Sequence, residues 1–239
     1  VVKVAMEISY IYPQRGIIIV NNNLTKNEWV LNGETVIYAS WNSLQETLDY
    51  DFKTEKAFSY EGLSLIEAIK HLSKFTSDIW QIHPFGEGNT RATAVFIIKY
   101  MRTFGLKVNN EAFKKHSWFF RNALVRANYN DLQNGIHSTT KFLEMFFSNL
   151  LLGADYELKN RYAHIDFNFR DEEEDFQSIN SKVPKYQFGT LECTLEELVI
   201  LNLIVEEPSI TQKKLTSETG KSIMTIKRVM ASLQERGII

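Results

Sequence analysis

At 239 residues, 44% of them apolar and 23% charged, the chain is long enough for one large domain and a small one with a real core. A formal net charge of −2 excludes a global attraction to nucleic acid or anionic lipid, so such binding has to come from a local patch. No apolar run reaches the roughly 18 residues of a membrane span, and no charged stretch leading into an apolar one marks a signal peptide. The single cysteine, Cys193, has no internal disulfide partner and is expected as a small core residue, which fits a reducing, cytoplasmic setting. The chain opens at Val1 rather than a methionine, which leaves room for residues before it.

In residues 1–30, Gly16 to Val20 reads as a short β-branched strand and Asn21-Asn22-Asn23 as its turn, without an assigned role. Asn32-Gly33 is a hairpin dipeptide because both positions tolerate positive φ, and Glu34-Thr35-Val36-Ile37-Tyr38-Ala39 has strand composition. A small β-hairpin is therefore expected over about 28–39. Ser40 or Ser43 caps a helix carrying Leu44, Leu48 and Phe52. Ser64, with Glu67 in capping-box position, opens a long helix with Ile66, Ile69, Leu72, Phe75, Ile79 and Ile82 at threes and fours. A second helix carries Val95, Ile98 and Met101 and stops at Gly105. Two more are expected over Glu111–Asn130 and Ser138–Leu152, with Phe113, Trp118, Phe119, Phe120, Phe142, Met145 and Phe146 as core stripes rather than a cofactor box.

Asp171-Glu172-Glu173-Glu174-Asp175 and the stretch from Ser178 to Pro184 lack apolar periodicity and read as a solvated linker. From Thr194 a compact three-helix pattern follows. Leu195, Leu198, Val199 and Ile204 share the first helix, Thr211 opens a second that stops at Gly220, and Ser222 caps a third with Ile226, Val229 and Leu233. The spacing is that of a helix-turn-helix, and Ile238-Ile239 is where a first wing strand would begin, the wing itself being cut off. Lys221, Lys227 and Arg228 are the candidate DNA contacts. From Thr194 on, six basic residues face six acidic ones, so the module suits DNA or, alternatively, dimerisation or protein docking.

Between the two central helices stands His83-Pro84-Phe85-Gly86-Glu87-Gly88-Asn89-Thr90-Arg91. Pro84 ends the first helix, and the glycine-bearing turn aims free amides of the second helix outward, which suits a phosphate group. At these positions the chain resembles the Fic family of protein-modifying nucleotidyl transferases, whose motif reads His-Pro-Phe-x-(Asp/Glu)-Gly-Asn-Gly-Arg. Eight of the nine positions agree, and the resemblance covers about residues 30–155.

The resemblance implies transfer of AMP from ATP to a Ser, Thr or Tyr hydroxyl of a target protein, the chain itself included. His83 would be the general base, because imidazole titrates near neutrality. Glu87 would hold Mg²⁺, a hard cation that takes carboxylate and phosphate oxygens. Gly86 and Gly88 would let the backbone approach the phosphates, Asn89 would donate to one, Thr90 lines the same loop, and Arg91 would meet charge growing in the transition state. Thr35, Val36 and Ile37 lie where the family's target-positioning flap would be; a plain core hairpin is the other reading of that segment.

Two positions depart from the pattern. Thr90 replaces a usual glycine, and Ala94 stands where many AMP-transferring members carry a further arginine. The family's inhibitory segment is also not found, since Ile17 to Asn23 contains no glutamate. The departures motivate a different nucleotide or phosphate donor as one alternative; the other, resting on the C-terminal helix-turn-helix, is a nucleotide-sensing DNA-binding transcriptional regulator. The fold class expected is mainly α: a Fic-type helical domain with a small β-hairpin flap over 31–155, a linker over 156–190, and a winged-helix-like domain over 191–239. The expected partners are a target protein, DNA at the C-terminal module and, as an option, a second copy of the chain, with no membrane.

Overall fold

The computed structural model describes residues 25–167 and 193–239. The strand expected at Gly16–Val20, its turn and the acidic run at 171–175 lie outside the described residues; of the linker expected over 156–190, residues 156–167 are described and pack on the helical domain, with Tyr162 and Ala163 buried and the Ile165 amide donating to the Val30 carbonyl at 2.9 Å. Nine α-helices carry the described fold: α1 (Leu44–Ala57), α2 (Leu65–Ile82), α3 (Asn89–Thr103), α4 (Glu111–Lys115), α5 (Ser117–Ala127), α6 (Lys141–Leu152), α7 (Leu195–Glu206), α8 (Gln212–Thr219) and α9 (Ile223–Glu235). Among the described residues no helix is long and apolar enough to cross a membrane.

Helix α2 is the central strut. Its N-terminus is closed by the expected capping box, Ser64 accepting from the Glu67 amide while the Glu67 carboxylate accepts from the Ser64 amide. Leu65, Ile69, Leu72, Phe75, Trp80 and Ile82 are buried, whereas Ile66 and, on α3, Val95 face solvent. Helices α1, α3, α5 and α6 pack around α2. At the α1 end the buried carboxylate of Glu55 accepts from His71 Nε2 at 2.6 Å, from Tyr60 at 2.8 Å and from Tyr100, so its desolvation is met by three donors. Burial and the Glu55 charge push both tyrosine hydroxyls well above the ordinary phenol range.

Three sequence expectations change. The single helix expected over 111–130 is two, broken at His116, whose backbone (φ −116°, ψ 33°) leaves the helical region. The break lets Phe113 on α4 and Phe120 on α5 meet edge-on at 5.0 Å, and it leaves Trp118 67% exposed rather than in the core. Helix α6 starts at Lys141 because Ser138 and Thr139 are pinned to the end of α5, their amides donating to Asn130 Oδ1 and the Arg126 carbonyl.

The third change is the flap. No strand pairing forms at 28–39 among the described residues; Trp29–Leu31 is a 3₁₀ turn closed by Asn32 (φ 54°) and Gly33 (φ 93°). Val30 and Leu31 are adjacent and both buried, which the alternation of a hairpin strand with one face in solvent would not give and this tight turn does. Beyond the turn the chain runs extended, with Val36 and Tyr38 turned inward and Ile37 82% exposed. It lies along the end of α2, where the Ala39 amide donates to the Gln81 carbonyl (3.3 Å) and Gln81 Nε2 to the Ile37 carbonyl (2.9 Å).

The C-terminal helices α7, α8 and α9 pack on one another and also share the main hydrophobic core. Thr194 forms a second capping box with Glu197, and the two N-cap residues, Ser64 and Thr194, meet as an antiparallel bridge, the Leu65 amide donating to the Cys193 carbonyl at 3.0 Å. The seam leaves a void of only about 10 Å³, at the lower limit for one water. The winged-helix-like module is thus fastened to the starts of α2 and the end of α3, where a Cβ on Gly105 would come within 3.0 Å of Val199.

Candidate functional site

The His83–Arg91 loop sits at the opposite ends of α2 and α3 from that seam. His83 closes α2 in the left-handed conformation (φ 55°, ψ 51°), one of two non-glycine residues with positive φ among those described. Pro84 follows and prevents the helix from continuing. Such a backbone costs on the order of 1 kcal/mol or more and persists only where its surroundings impose it.

The imidazole of His83 is buried, with Nδ1–H donating to the Trp80 carbonyl at 3.3 Å and Nε2 left without a partner. That bond assigns the proton to Nδ1 and leaves the Nε2 lone pair free. Burial, then the charges of Lys26 and Arg121, pull its pKa from the ordinary 6.5 down to about 3, the Trp80 carbonyl opposing them. Tyr38 lies against the ring at a centroid distance of 4.0 Å, and Trp80 meets it edge-on at 5.2 Å. Behind Tyr38, the buried carboxylate of Glu28 takes a two-pronged ion pair from Arg121 and a bond of 3.4 Å from the Tyr38 hydroxyl.

Gly88 precedes α3 in the left-handed region (φ 84°), as a turn that exposes the first helical amides requires, and no side chain caps them. Gly86 does not have positive φ. Arg91 is exposed and folds toward Gly88, its Nη2 within 3.5 Å of where a Cβ there would lie. Glu87 is exposed on the same loop, within electrostatic reach of Lys26. An uncapped helix N-terminus, Arg91 and Lys26 together favour an anion.

Two expected contacts take another form. Asn89 is buried, and both ends of its amide engage Phe85: Oδ1 accepts from the Phe85 amide at 3.0 Å and Nδ2 donates to the Phe85 carbonyl at 2.5 Å. In this state it clamps the loop rather than offering a donor to a phosphate. Thr90, at the position of the departure from the motif, accepts from the indole of the buried Trp80 at 3.1 Å. Thr90→Val is therefore expected to strand that N–H and cost about 1–3 kcal/mol in urea unfolding, while Thr90→Ser restores most of it. Ala94 is buried, so a long side chain there could not extend without repacking.

Sequence reasoning missed Lys26, Glu28, Tyr38 and Arg121. They come from separated segments and converge only in the fold; no spacing in the chain announces them. Beside Gln81 opens a cleft of about 1030 Å³, bordered by the extended segment through Thr35 and Ile37 and by Glu34, Asp131 and Asp166. Val36, also expected in the flap, is turned into the core instead.

In the C-terminal module α9 carries Lys227 exposed and without a partner among the described residues. Lys221 and Arg228 instead face Glu196 at the start of α7, the first bonded to it and the second at 3.8 Å. Met224, 78% exposed, and Thr225 share the leading turn of the helix. Residues 197–239, which take in most of α7 and all of α8 and α9, match the family described as winged helix-turn-helix DNA-binding. No curated protein and no solved structure matches the chain.

Proposed function

We propose that the protein is a DNA-binding regulator whose helical domain takes a nucleotide at the His83–Arg91 loop. The observation that carries the reading is the winged-helix match over residues 197–239. The seam adds the link between the two activities. The module is fastened to the far ends of α2 and α3, the two helices that form the loop, so a ligand that shifts the helices against each other would be felt at α7. Coupling of this kind is reciprocal: a nucleotide that alters DNA affinity has its own affinity altered by DNA. Phosphates would meet the free amides of α3 and Arg91, and the Glu87 carboxylate, exposed beside them, suits a Mg²⁺ shared with the phosphates.

Electrophoretic retardation of genomic fragments, with and without ATP and Mg²⁺, tests the reading. Retardation that weakens with salt is expected; none at low salt rejects DNA binding, and identical retardation with and without nucleotide rejects the sensing role. Glu196 neutralises two of the three basic side chains of the recognition region. Glu196→Gln is accordingly expected to bind DNA more tightly and to steepen the salt dependence by about one to two counterions, read from log K against log salt.

A second reading is favoured by the unpartnered Nε2 of the neutral His83: the loop transfers AMP to a protein hydroxyl. Nε2 would take the acceptor's proton as its oxygen bonds to the α-phosphorus of ATP. The bond from that phosphorus to the bridging oxygen breaks, and pyrophosphate leaves. The metal, when bound, offsets charge on the phosphates. The cleft beside Gln81 would lead an acceptor segment along the Thr35–Ile37 edge toward the loop. A different donor is compatible with Thr90 and Ala94, and a panel of labelled nucleotides separates the cases.

A further inference from the structure

We propose that Tyr38 is a positioning residue that shields His83: its ring, held by Glu28 and Arg121, closes Nε2 off from solvent and has to swing away before any hydroxyl or reagent reaches that atom. The inference rests on His83 being the reactive group of the loop only for its meaning; the shielding itself is a property of the fold.

The geometry is specific. The Tyr38 ring lies 4.0 Å from the imidazole centroid at an interplanar tilt of 37°, next to the edge-on Trp80, which it meets edge-on at 5.7 Å. A buried nitrogen with a free lone pair and no partner carries a standing desolvation cost, which a structural histidine ordinarily avoids by a second hydrogen bond. Here the cost is maintained, because Tyr38 packs where a partner or water would enter.

Tyr38 does not float in place. Its hydroxyl donates to Glu28, Glu28 is held by the guanidinium fork of Arg121 on α5, and the next turn is closed at Asn32 and Gly33. The backbone beside it is anchored too, the Ala39 amide donating to the Gln81 carbonyl at 3.3 Å and Gln81 Nε2 to the Ile37 carbonyl at 2.9 Å, whereas the Tyr38 hydroxyl reaches Glu28 only at 3.4 Å. Ile37 is almost fully exposed and contributes no packing. The backbone is thus held at Glu28, at the buried Val36 and at Gln81, and the Tyr38 ring, whose single hydrogen bond is long, is the part that can swing away. The charged groups facing the imidazole are Lys26 and Arg121, with Glu28 behind the phenol, and none of them reaches Nε2 to replace Tyr38.

Chemical access measures this directly and needs neither ATP nor DNA. Diethyl pyrocarbonate acylates a neutral imidazole nitrogen, and peptide mass spectrometry reads each histidine of the full-length protein separately. In the unmodified protein His83 is expected to react at least about tenfold more slowly than the exposed His137, as for an atom open only in a minor state. Tyr38→Ala and Tyr38→Leu are expected to remove most of that protection without changing His137, and Tyr38→Phe, which keeps the ring, to preserve it. Equal rates at His83 and His137 in the unmodified protein overturn the proposal whatever the variants do. So does protection that survives both ring-removing substitutions in a protein whose circular dichroism is unchanged. Should Tyr38→Ala unfold, the Leu variant and the unmodified protein still decide. Absence of AMP transfer alongside protected His83 rejects the transfer reading and leaves the shield standing.

Discussion

Arg121→Met is expected to lower the unfolding free energy by about 3–5 kcal/mol, the largest loss at any single position near the loop. The reason is what stays behind. The Glu28 side chain is 2% exposed, and Arg121 supplies both of its strong donors, so removing the guanidinium leaves a carboxylate out of water with only the long bond from Tyr38. Deleting both charges, as in Glu28→Leu with Arg121→Met, is expected to recover much of the loss, because the desolvation penalty goes with the pair. Urea titrations of the two single variants and the double variant give the coupling; a single variant within about 0.5 kcal/mol of the parent would show that the pair is solvated. The same substitution removes one of the two cations that depress the His83 pKa, so its imidazole should titrate higher.

His83→Ala is expected to reduce any transfer of label from α-labelled ATP to protein by about 10²–10⁴-fold, the contribution of a positioned general base. Label that survives the substitution rejects His83 as the base. A ring held at about 3 is a poor proton acceptor near neutral pH. A bound polyphosphate reverses the local sign of charge that Lys26 and Arg121 create, and should raise the pKa toward neutrality, where the base is effective. The pH dependence of stability follows from the same depression. Above 6.5 neither the folded nor the unfolded ring is protonated. Below it the unfolded chain binds a proton that the folded chain refuses until about 3, so stability falls steadily as the pH drops through that window. His83→Gln removes this component, and its urea midpoint should decline less between pH 6.5 and 4 than that of the parent.

How much of this was legible in the sequence depends on the range of the interaction. Ser64 with Glu67, and Thr194 with Glu197, announce helix starts because donor and acceptor lie three residues apart, and both capping boxes form. Thr211 and Ser222 mark the starts of α8 and α9 for the same reason, and Gly220 ends α8 in the left-handed conformation (φ 67°). The Asn32-Gly33 dipeptide gave the correct local backbone, both residues at positive φ, and the wrong element. Burial of the adjacent Val30 and Leu31 overrode the strand pattern. Trp118 shows the same limit: its composition suits a core, and the break at His116 turns it outward.

The nine-residue loop divides in the same way. Its conformation was written locally, in the proline that stops α2 and in Gly88, whose missing Cβ allows the turn that frees the amides of α3. The placing of a base, a carboxylate and a guanidinium within nine residues needed no fold to be read. The state of the base was decided elsewhere. Tyr38, Glu28 and Arg121 come from three places in the chain, and burial and charge act through space, so only packing could leave Nε2 neutral, dry and covered. Packing also turned Asn89 inward as a clamp and gave Thr90 to Trp80. The chain's own order specifies which groups are present; the low-dielectric surroundings that the fold assembles specify what each can do.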